Sequence, residues 1–388
     1  IAIDNYNKSV LINKKLGVKK GISSCYNNIA IINANQGNYE EAIKNFKEAL
    51  SIDIELNDSS GVSLLYNNIA IINRLKGNYI LAEENLQKAL ILAQEVGDKK
   101  GISRCYTNLG NISTNQGNYA KAIDYHIKSL KIDSALNYKK GMANCYGNIA
   151  IINYHQGNYN DAIDNYAKSL MIFKELGDNN GISACHNNMG LVYQNQGKYE
   201  DAIECYLQSL KLSEKSGIKE GVSNSYDNIG NVYQEQGNYE KAVEYHNKSL
   251  QIKEDIGDKK GISSSYNNIG NVFHSKGEHS IALEYYQKSL KIQEEINDKR
   301  GMSFNYHNIG NILTQQGKYT KAIEYYQKSF QIKKEIGDKQ GLASTNISLA
   351  NLYTCLADSV QSVQREEHLK NAIISGKKGY SIAVEIGA

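Results

Sequence analysis

The strongest constraint on this chain is a phrase that it repeats. "YNNIAIINANQGNYEEAIKNF" begins at Tyr26, "YNNIAIINRLKGNYILAEENL" at Tyr66 and "YNNIGNVFHSKGEHSIALEYY" at Tyr266. Aligned on the Gly that opens each unit, from Gly21 and Gly61 to Gly301 and Gly341, the spacing is 40 residues throughout. A length of 388 residues would otherwise suggest two or three globular domains. A fixed period of this size points instead to stacked copies of one unit that cannot bury its own apolar face alone.

Within one unit, Tyr26, Ile29, Ala30 and position 33 (Tyr193, Tyr233 and Phe273 in later copies) fall at helical spacing. They define helix A. Gly37 can end it in the left-handed conformation, and Asn38 can cap the next helix. Helix B carries Ala42, Ile43, Phe46, Ala49 and Leu50 on one face. It ends at Gly17, Asn57, Gly97, Asn137, Gly177, Gly217, Gly257, Asn297, Gly337 and Gly387, always one of the two residues that best accept positive φ. Asp usually follows (Asp58, Asp98, Asp178, Asp258, Asp298, Asp338) as a candidate N-cap. Acid–base pairs at i,i+4 recur on helix B: Glu84/Lys88, Asp124/Lys128, Asp164/Lys168, Glu244/Lys248, Glu284/Lys288 and Glu324/Lys328. They mark a solvent-exposed face.

The set Tyr26, Ile29-Ala30, Gly37, Tyr39, Ala42, Phe46, Ala49 resembles the tetratricopeptide repeat over nearly the whole chain. Two departures are a period of 40 rather than 34 and the missing Pro near the end of helix B. The longer helices and GDKKG-type links resemble the subclass of the LGN/Pins adaptors, kinesin light chains and bacterial signalling proteins. The fold expected is all-α, a right-handed α-solenoid (superhelix) of stacked antiparallel helix pairs.

The organisation expected is a single solenoid over 1–388. Residues 1–20 are helix B of a truncated repeat, 21–340 are eight 40-residue repeats, and 341–388 are a ninth, irregular repeat. There, "AIISGKKGYSIAVEIG" (372–387) aligns with 322–337 at an offset of 50, so ten extra residues within 357–370 lengthen the A–B connection. Gly376 and Gly379 should weaken that last helix B. Neither end shows a polar capping helix, so the chain reads as a segment of a longer protein, and its exposed ends permit end-to-end self-association.

The second Asn of the repeated phrase recurs as Asn28, Asn68, Asn108, Asn148, Asn188, Asn228, Asn268 and Asn308, and gives way only at Ser348. Its neighbour varies: Asn27, Asn67, Thr107, Gly147, Asn187, Asp227, Asn267, His307. Asn is a mediocre helix former, so eight copies inside helices need a reason. Position 28 joins a second stripe, at 24, 28, 31 and 35, which in tetratricopeptide proteins lines the concave groove. A column of amides there could clamp an extended peptide backbone, and the asparagine ladder of O-GlcNAc transferase is similar. Alternatively the column could bond neighbouring repeats and set their geometry. The clamp is the preferred reading, and the two are compatible. Specificity then falls to variable groove positions: Arg104 at position 24, and position 31, which is Ile31, Ile71, Asn111, Ile151 and Leu191 early and Asn231, Asn271 and Asn311 late.

Other chemistry lacks support. The net charge of +3, from 44 Lys and Arg against 41 Asp and Glu, excludes a strongly basic nucleic-acid binder. No apolar run approaches a membrane span. Cys25, Cys105, Cys145 and Cys185 share one repeat position, and stacked equivalents lie roughly 8–10 Å apart, too far for disulfides. His126 and His246 stand where other repeats have Phe46, Tyr166 and Tyr206, so they read as aromatic substitutes rather than metal ligands. "GKKG" at 376–379 lacks P-loop spacing. The Lys pairs 19–20, 99–100, 139–140 and 259–260 form a basic row that reads as solvated loop ends, with an acidic partner as the alternative. No catalytic residue, metal or cofactor is expected. The expected function is a non-catalytic, cytoplasmic protein- or peptide-binding module, a sensor or adaptor region of a larger signalling protein. The alternatives are a stand-alone scaffold, or the recognition arm of an enzyme whose catalytic domain lies elsewhere.

Overall fold

The computed structural model describes residues 2–359 and 363–386, and among them lie nineteen helices and no strand. Two compact units divide the chain, 1–192 and 193–388. The first holds α1 (Ala2–Leu16), α2 (Lys19–Asn35), α3 (Tyr39–Glu55), α4 (Ser59–Leu75), α5 (Tyr79–Glu95), α6 (Lys99–Asn115), α7 (Tyr119–Ala135), α8 (Lys139–His155), α9 (Tyr159–Leu176) and most of α10 (Asn179–Asn195). The second holds α11 (Tyr199–Lys215), α12 (Lys219–Glu235), α13 (Tyr239–Asp255), α14 (Lys259–Ser275), α15 (His279–Glu295), α16 (Lys299–Gln315), α17 (Tyr319–Glu335), α18 (Lys339–Ser359) and α19 (Val363–Ile386). In each, successive helices pack into hairpins that stack on one another. The A helices also meet directly, α4 with α6 and α6 with α8 in the first unit, α12 with α14 and α14 with α16 in the second.

Local chemistry sets the helix ends. Gly37 has φ +78°, and Asn57, Asn137 and Asn297 have φ of 53°, 51° and 54°. The amide of Gly37 donates to Ala34 O at 3.0 Å and that of Asn38 to Asn33 O at 2.9 Å, the paired bonds of a Schellman ending. Asp58, Asp178, Asp258, Asp298 and Asp338 cap the following A helix by accepting from the Gly amide three residues on. Among the Asn that open B helices, only Asn238 uses its side chain in this way; Asn38, Asn78, Asn118 and Asn158 hold the N-cap position through backbone alone.

Packing relies on small residues where helices cross. Ala42, Ala82, Ala122 and Ala162 are completely buried in the first unit, as are Ala202, Ala242, Ala282 and Ala322 in the second. Ile29, Ile69, Ile229, Ile269 and Ile309 fill the space between hairpins, each worth about 1.5–3 kcal/mol when buried. The shared-position cysteines are buried, free thiols. Burial pushes Cys105 up to about 12 and Cys145 up to about 11, so both stay protonated and serve as packing groups.

Two surface expectations need amending. Among the described residues, only Lys128–Asp124 and Lys248–Glu244 of the six i,i+4 pairs close as ion pairs, at 2.7 and 2.6 Å. All six lysines instead lie over a Tyr of the preceding A helix, from Lys88 over Tyr66 at 5.6 Å to Lys328 over Tyr306 at 5.5 Å. In the Lys row at the repeat edge, the first lysine of three of the four pairs also closes an ion pair with the next B helix. Lys19 meets Glu55 at 2.9 Å, Lys139 meets Glu175 at 2.9 Å and Lys259 meets Glu295 at 3.2 Å.

The last repeat absorbs its extra residues partly as helix, with α18 21 and α19 24 residues long against 17 in most others. Residues 360–362, within the expected longer connection, and Gly387 lie outside the described residues. Gly379 also packs: a Cβ there would sit 3.1 Å from Ala343 O and Ile347 Cγ1, so glycine lets α19 close on α18.

Candidate functional site: an asparagine-lined groove

The stripe at 24, 28, 31 and 35 faces outward on the A helices. Position 28 is half-buried in all eight regular repeats, while Ser24, Ile31, Asn35, Arg104, Asn144 and Asn224 are exposed. Backbone placement is therefore uniform, but the asparagines themselves divide into three kinds.

In the first kind the amide ties one repeat to the one before. Asn68 Nδ2 donates to Asn27 Oδ1 at 3.0 Å, and Asn108 Nδ2 donates to Asn67 Oδ1 at 2.8 Å. The acceptor is the looser neighbour of the preceding copy, Asn in both cases, although Asn187 and Asn267 stand in the same column with their Oδ1 atoms buried and unbonded. Asn308 Nδ2 reaches Asn271 Oδ1 instead, at 3.4 Å.

In the second kind a tyrosine holds the amide from beneath. Tyr286 and Tyr326 hydroxyls donate to Asn271 Oδ1 and Asn311 Oδ1, each at 2.7 Å. The rings pass under helix A because residues 270 and 310 are Gly; a Cβ would lie 2.7 and 2.8 Å from them. This fixes the amide orientation and turns Nδ2 away from the ring.

The third kind opens into space. Thr107 and Gly147 replace the acceptor Asn ahead of Asn148 and Asn188, and no link forms there. Thr107 spends its hydroxyl on Ser129, at 2.8 Å. Both amides, with Asn111, line a groove of about 510 Å³ bounded by α6, α8, α9 and α10. Its floor is Gly147, Ile151, Tyr166 and Phe173. At the mouth, Lys140 and Asp178 close an ion pair at 2.9 Å. Hydrogen bonding to Lys140 holds the Asp178 carboxyl below the usual carboxylate range. Among the described residues the side-chain amides of Asn28, Asn228 and Asn268 find no hydrogen-bond partner; for Asn268 the preceding neighbour, Asp227, is taken by His246 at 3.0 Å and by buried Lys253. Asn228 and Asn231 are half-buried in α12, and Arg104 lies on the exposed stripe outside the groove.

Sequence reading missed Gly147 and Phe173. The signal lay in the irregular columns. Gly147 is the one glycine among the neighbours of the constant Asn, and Phe173 occupies a column that elsewhere holds Asp53, Ala93, Asp133, Ser213, Lys253, Gln293 and Lys333.

His126 is completely buried against Gly110, and burial lowers its pKa to about 4. Among the described residues no group of three or more His, Cys, Asp or Glu gathers to hold a metal, and no helix is long and apolar enough to cross a membrane.

Comparison with curated protein sequences finds no match. Solved structures do match. A signal transduction ATPase with numerous domains from Pyrococcus horikoshii, carrying a tetratricopeptide repeat sensor, is 17% identical with a TM-score of 0.59, the match covering 89% of this chain and 53% of that one. A Rap protein complexed with competence and sporulation factor is 15% identical, TM-score 0.55, over 95% and 99% of the two chains. Aspartyl phosphate phosphatase F from Bacillus subtilis is 18% identical, TM-score 0.55, over 74% of each. At these identities the likeness is one of fold. The tetratricopeptide repeat profile matches residues 23–54, 61–135, 141–215, 221–295 and 302–369, and with helix pairs stacked across the same residues, the chain belongs to the tetratricopeptide repeat family.

Proposed function

We propose that the chain is a non-catalytic interaction module that binds an extended peptide segment of a partner, with Asn148 and Asn188 clamping the peptide backbone. The observation that carries this reading is that both amides open into one groove without an intramolecular partner. An amide offers two donors and an acceptor, which matches the alternating groups of an extended backbone. The sensor role named for the tetratricopeptide region of the Pyrococcus protein, and the complex formed by the Rap protein, are in keeping with a sensor or adaptor in signalling.

A second role belongs to other members of the column. Asn68 and Asn108 bond the preceding repeat. The column is thus structural in the early repeats and available for binding at Asn148 and Asn188.

The test compares two double variants. Asn148→Ala/Asn188→Ala should abolish binding of peptides selected from a random linear dodecapeptide library without lowering the melting temperature, since Ala is the better helix former. Asn68→Ala/Asn108→Ala should bind the same peptides but lose about 1 kcal/mol of stability per hydrogen bond. Undiminished binding by the first variant would refute the clamp.

A further inference from the structure

Gly147 differs from Gly110 and from the glycines that open the A helices. A Cβ at Gly110 would lie 2.6 Å from the His126 ring, and at the opening glycines it would meet a side chain just as closely, as Gly61 meets Asp53 at 2.3 Å and Gly101 meets Asp98 at 2.4 Å. These glycines admit a neighbour. A Cβ at Gly147 would meet nothing nearer than Ser169 Oγ at 3.7 Å. No packing partner demands glycine there, φ is not positive, and glycine weakens a helix interior. What its absent side chain provides is room, in the floor of the groove between Asn148 and Asn188.

We propose that this space is an anchor pocket for one large, uncharged, apolar side chain of the bound peptide, of the Leu, Met or Phe class. The inference rests on the peptide reading given above and adds what the groove selects. Its floor is largely apolar: Phe173 stands where other repeats place Asp133, Ser213 or Lys253, Ile151 and Tyr166 lie beside it, and the Ser169 hydroxyl among them is spent on Ala143 O at 2.8 Å. A charged side chain would lose its hydration there without gaining a counter-ion, because the two charges at the mouth, Lys140 and Asp178, neutralise each other. The rim is amide on both sides, suited to backbone rather than to charge. A volume of about 510 Å³ leaves room for a large side chain together with the backbone that carries it. At Asn27 and Asn67 the link to the next repeat occupies the equivalent position, and at the remaining regular repeats a side chain larger than Gly stands there. The pocket is therefore a local property of α8 and not of the repeat.

The experiment uses the full chain and a random linear dodecapeptide library displayed on phage. Selected peptides should share one large apolar position. Changing it to Ala should weaken binding to wild type about tenfold or more, and changing it to Asp further. Gly147→Leu fills the pocket and should weaken the parent peptides at least about tenfold, with no drop in melting temperature. The Ala-substituted peptides should then distinguish wild type from Gly147→Leu far less than the parents do. If Gly147→Leu melted lower, Ile151→Asn, which puts on α8 the residue that Asn111 already supplies on α6, takes its place. Peptides that need Asn148 and Asn188 but share no apolar position, or that bind Gly147→Leu as tightly as wild type, would overturn the anchor and leave the clamp standing. Selection of no peptide at all would overturn both.

Discussion

Gly147 and Gly310 are the same letter in the same kind of helix and should answer substitution with opposite signs. At Gly310 a Cβ would sit 2.8 Å from the Tyr326 ring, whose hydroxyl is committed to Asn311. Gly310→Ala should therefore lose about 1–3 kcal/mol through overpacking. At Gly147 the Cβ meets only ordinary contact, Ser169 Oγ at 3.7 Å, and Gly147→Ala should gain about 0.5–1 kcal/mol from helix propensity alone. Urea denaturation of the two variants checks both, and a loss at Gly147 would mean that the glycine is required by the fold. The sequence marked the asparagine column as special, yet it could not say which members were committed. Commitment needs an acceptor 41 positions earlier, as Asn67 is for Asn108, which Thr107 and Gly147 do not supply; an Asn there is not sufficient, since Asn187 and Asn267 stay unlinked. Repetition makes the constant position visible, and packing between repeats decides which of its members are tied.

Elements were more legible than side chains because their ends are decided locally. The Gly-or-Asn rule at the end of helix B was readable as a positive-φ requirement, and Asn57, Asn137 and Asn297 meet it. Asn297→Ala should cost about 1 kcal/mol by forcing a Cβ into the left-handed region with neither Gly's freedom nor Asn's local hydrogen bonding, and Asn297→Gly should be neutral or better. Thermal melts of the pair test this, and equal melting for Ala and Gly would contradict it. The lysines of helix B were less legible. Read along the helix, each has an acid four residues earlier. In space, Lys288 settles between two ring faces, 4.7 Å from Tyr285 on its own helix and 5.9 Å from Tyr266 on the preceding A helix. A pattern confined to one helix cannot report on its hairpin partner. The same limit applied at Gly379, where helix propensity suggested weakness and close packing on Ala343 and Ile347 supplied the compensation.

At the scale of the molecule, near-neutral net charge leaves acid sensitivity to a few buried groups, and two histidines dominate. His126 in α7 is fully buried with neither ring nitrogen hydrogen-bonded, and burial lowers its pKa to about 4. His307 in α16 is lowered to about 4 as well, by burial and by the nearby Lys333 ammonium. Above the unfolded value of about 6.5 both are neutral in either state, and the fold keeps its full stability. Between about 6.5 and 4 the unfolded chain takes up protons that the native chain refuses, so stability falls as pH falls, by up to about 3 kcal/mol per histidine. Because stacked repeats lose stability by neighbourhood, the loss should be local. Hydrogen exchange at pH 5 should show α6–α8 and α16–α18 opening ahead of the other helices, and at pH 7.5 this difference should vanish. His126→Tyr recreates beside Gly110 the ring that Tyr286 places beside Gly270, with a hydroxyl able to reach Asn111 as Tyr286 reaches Asn271. It should abolish the acid-induced opening of α6–α8 and leave that of α16–α18 untouched. If α6–α8 still opened at pH 5 in this variant, His126 would not be the group that takes the proton.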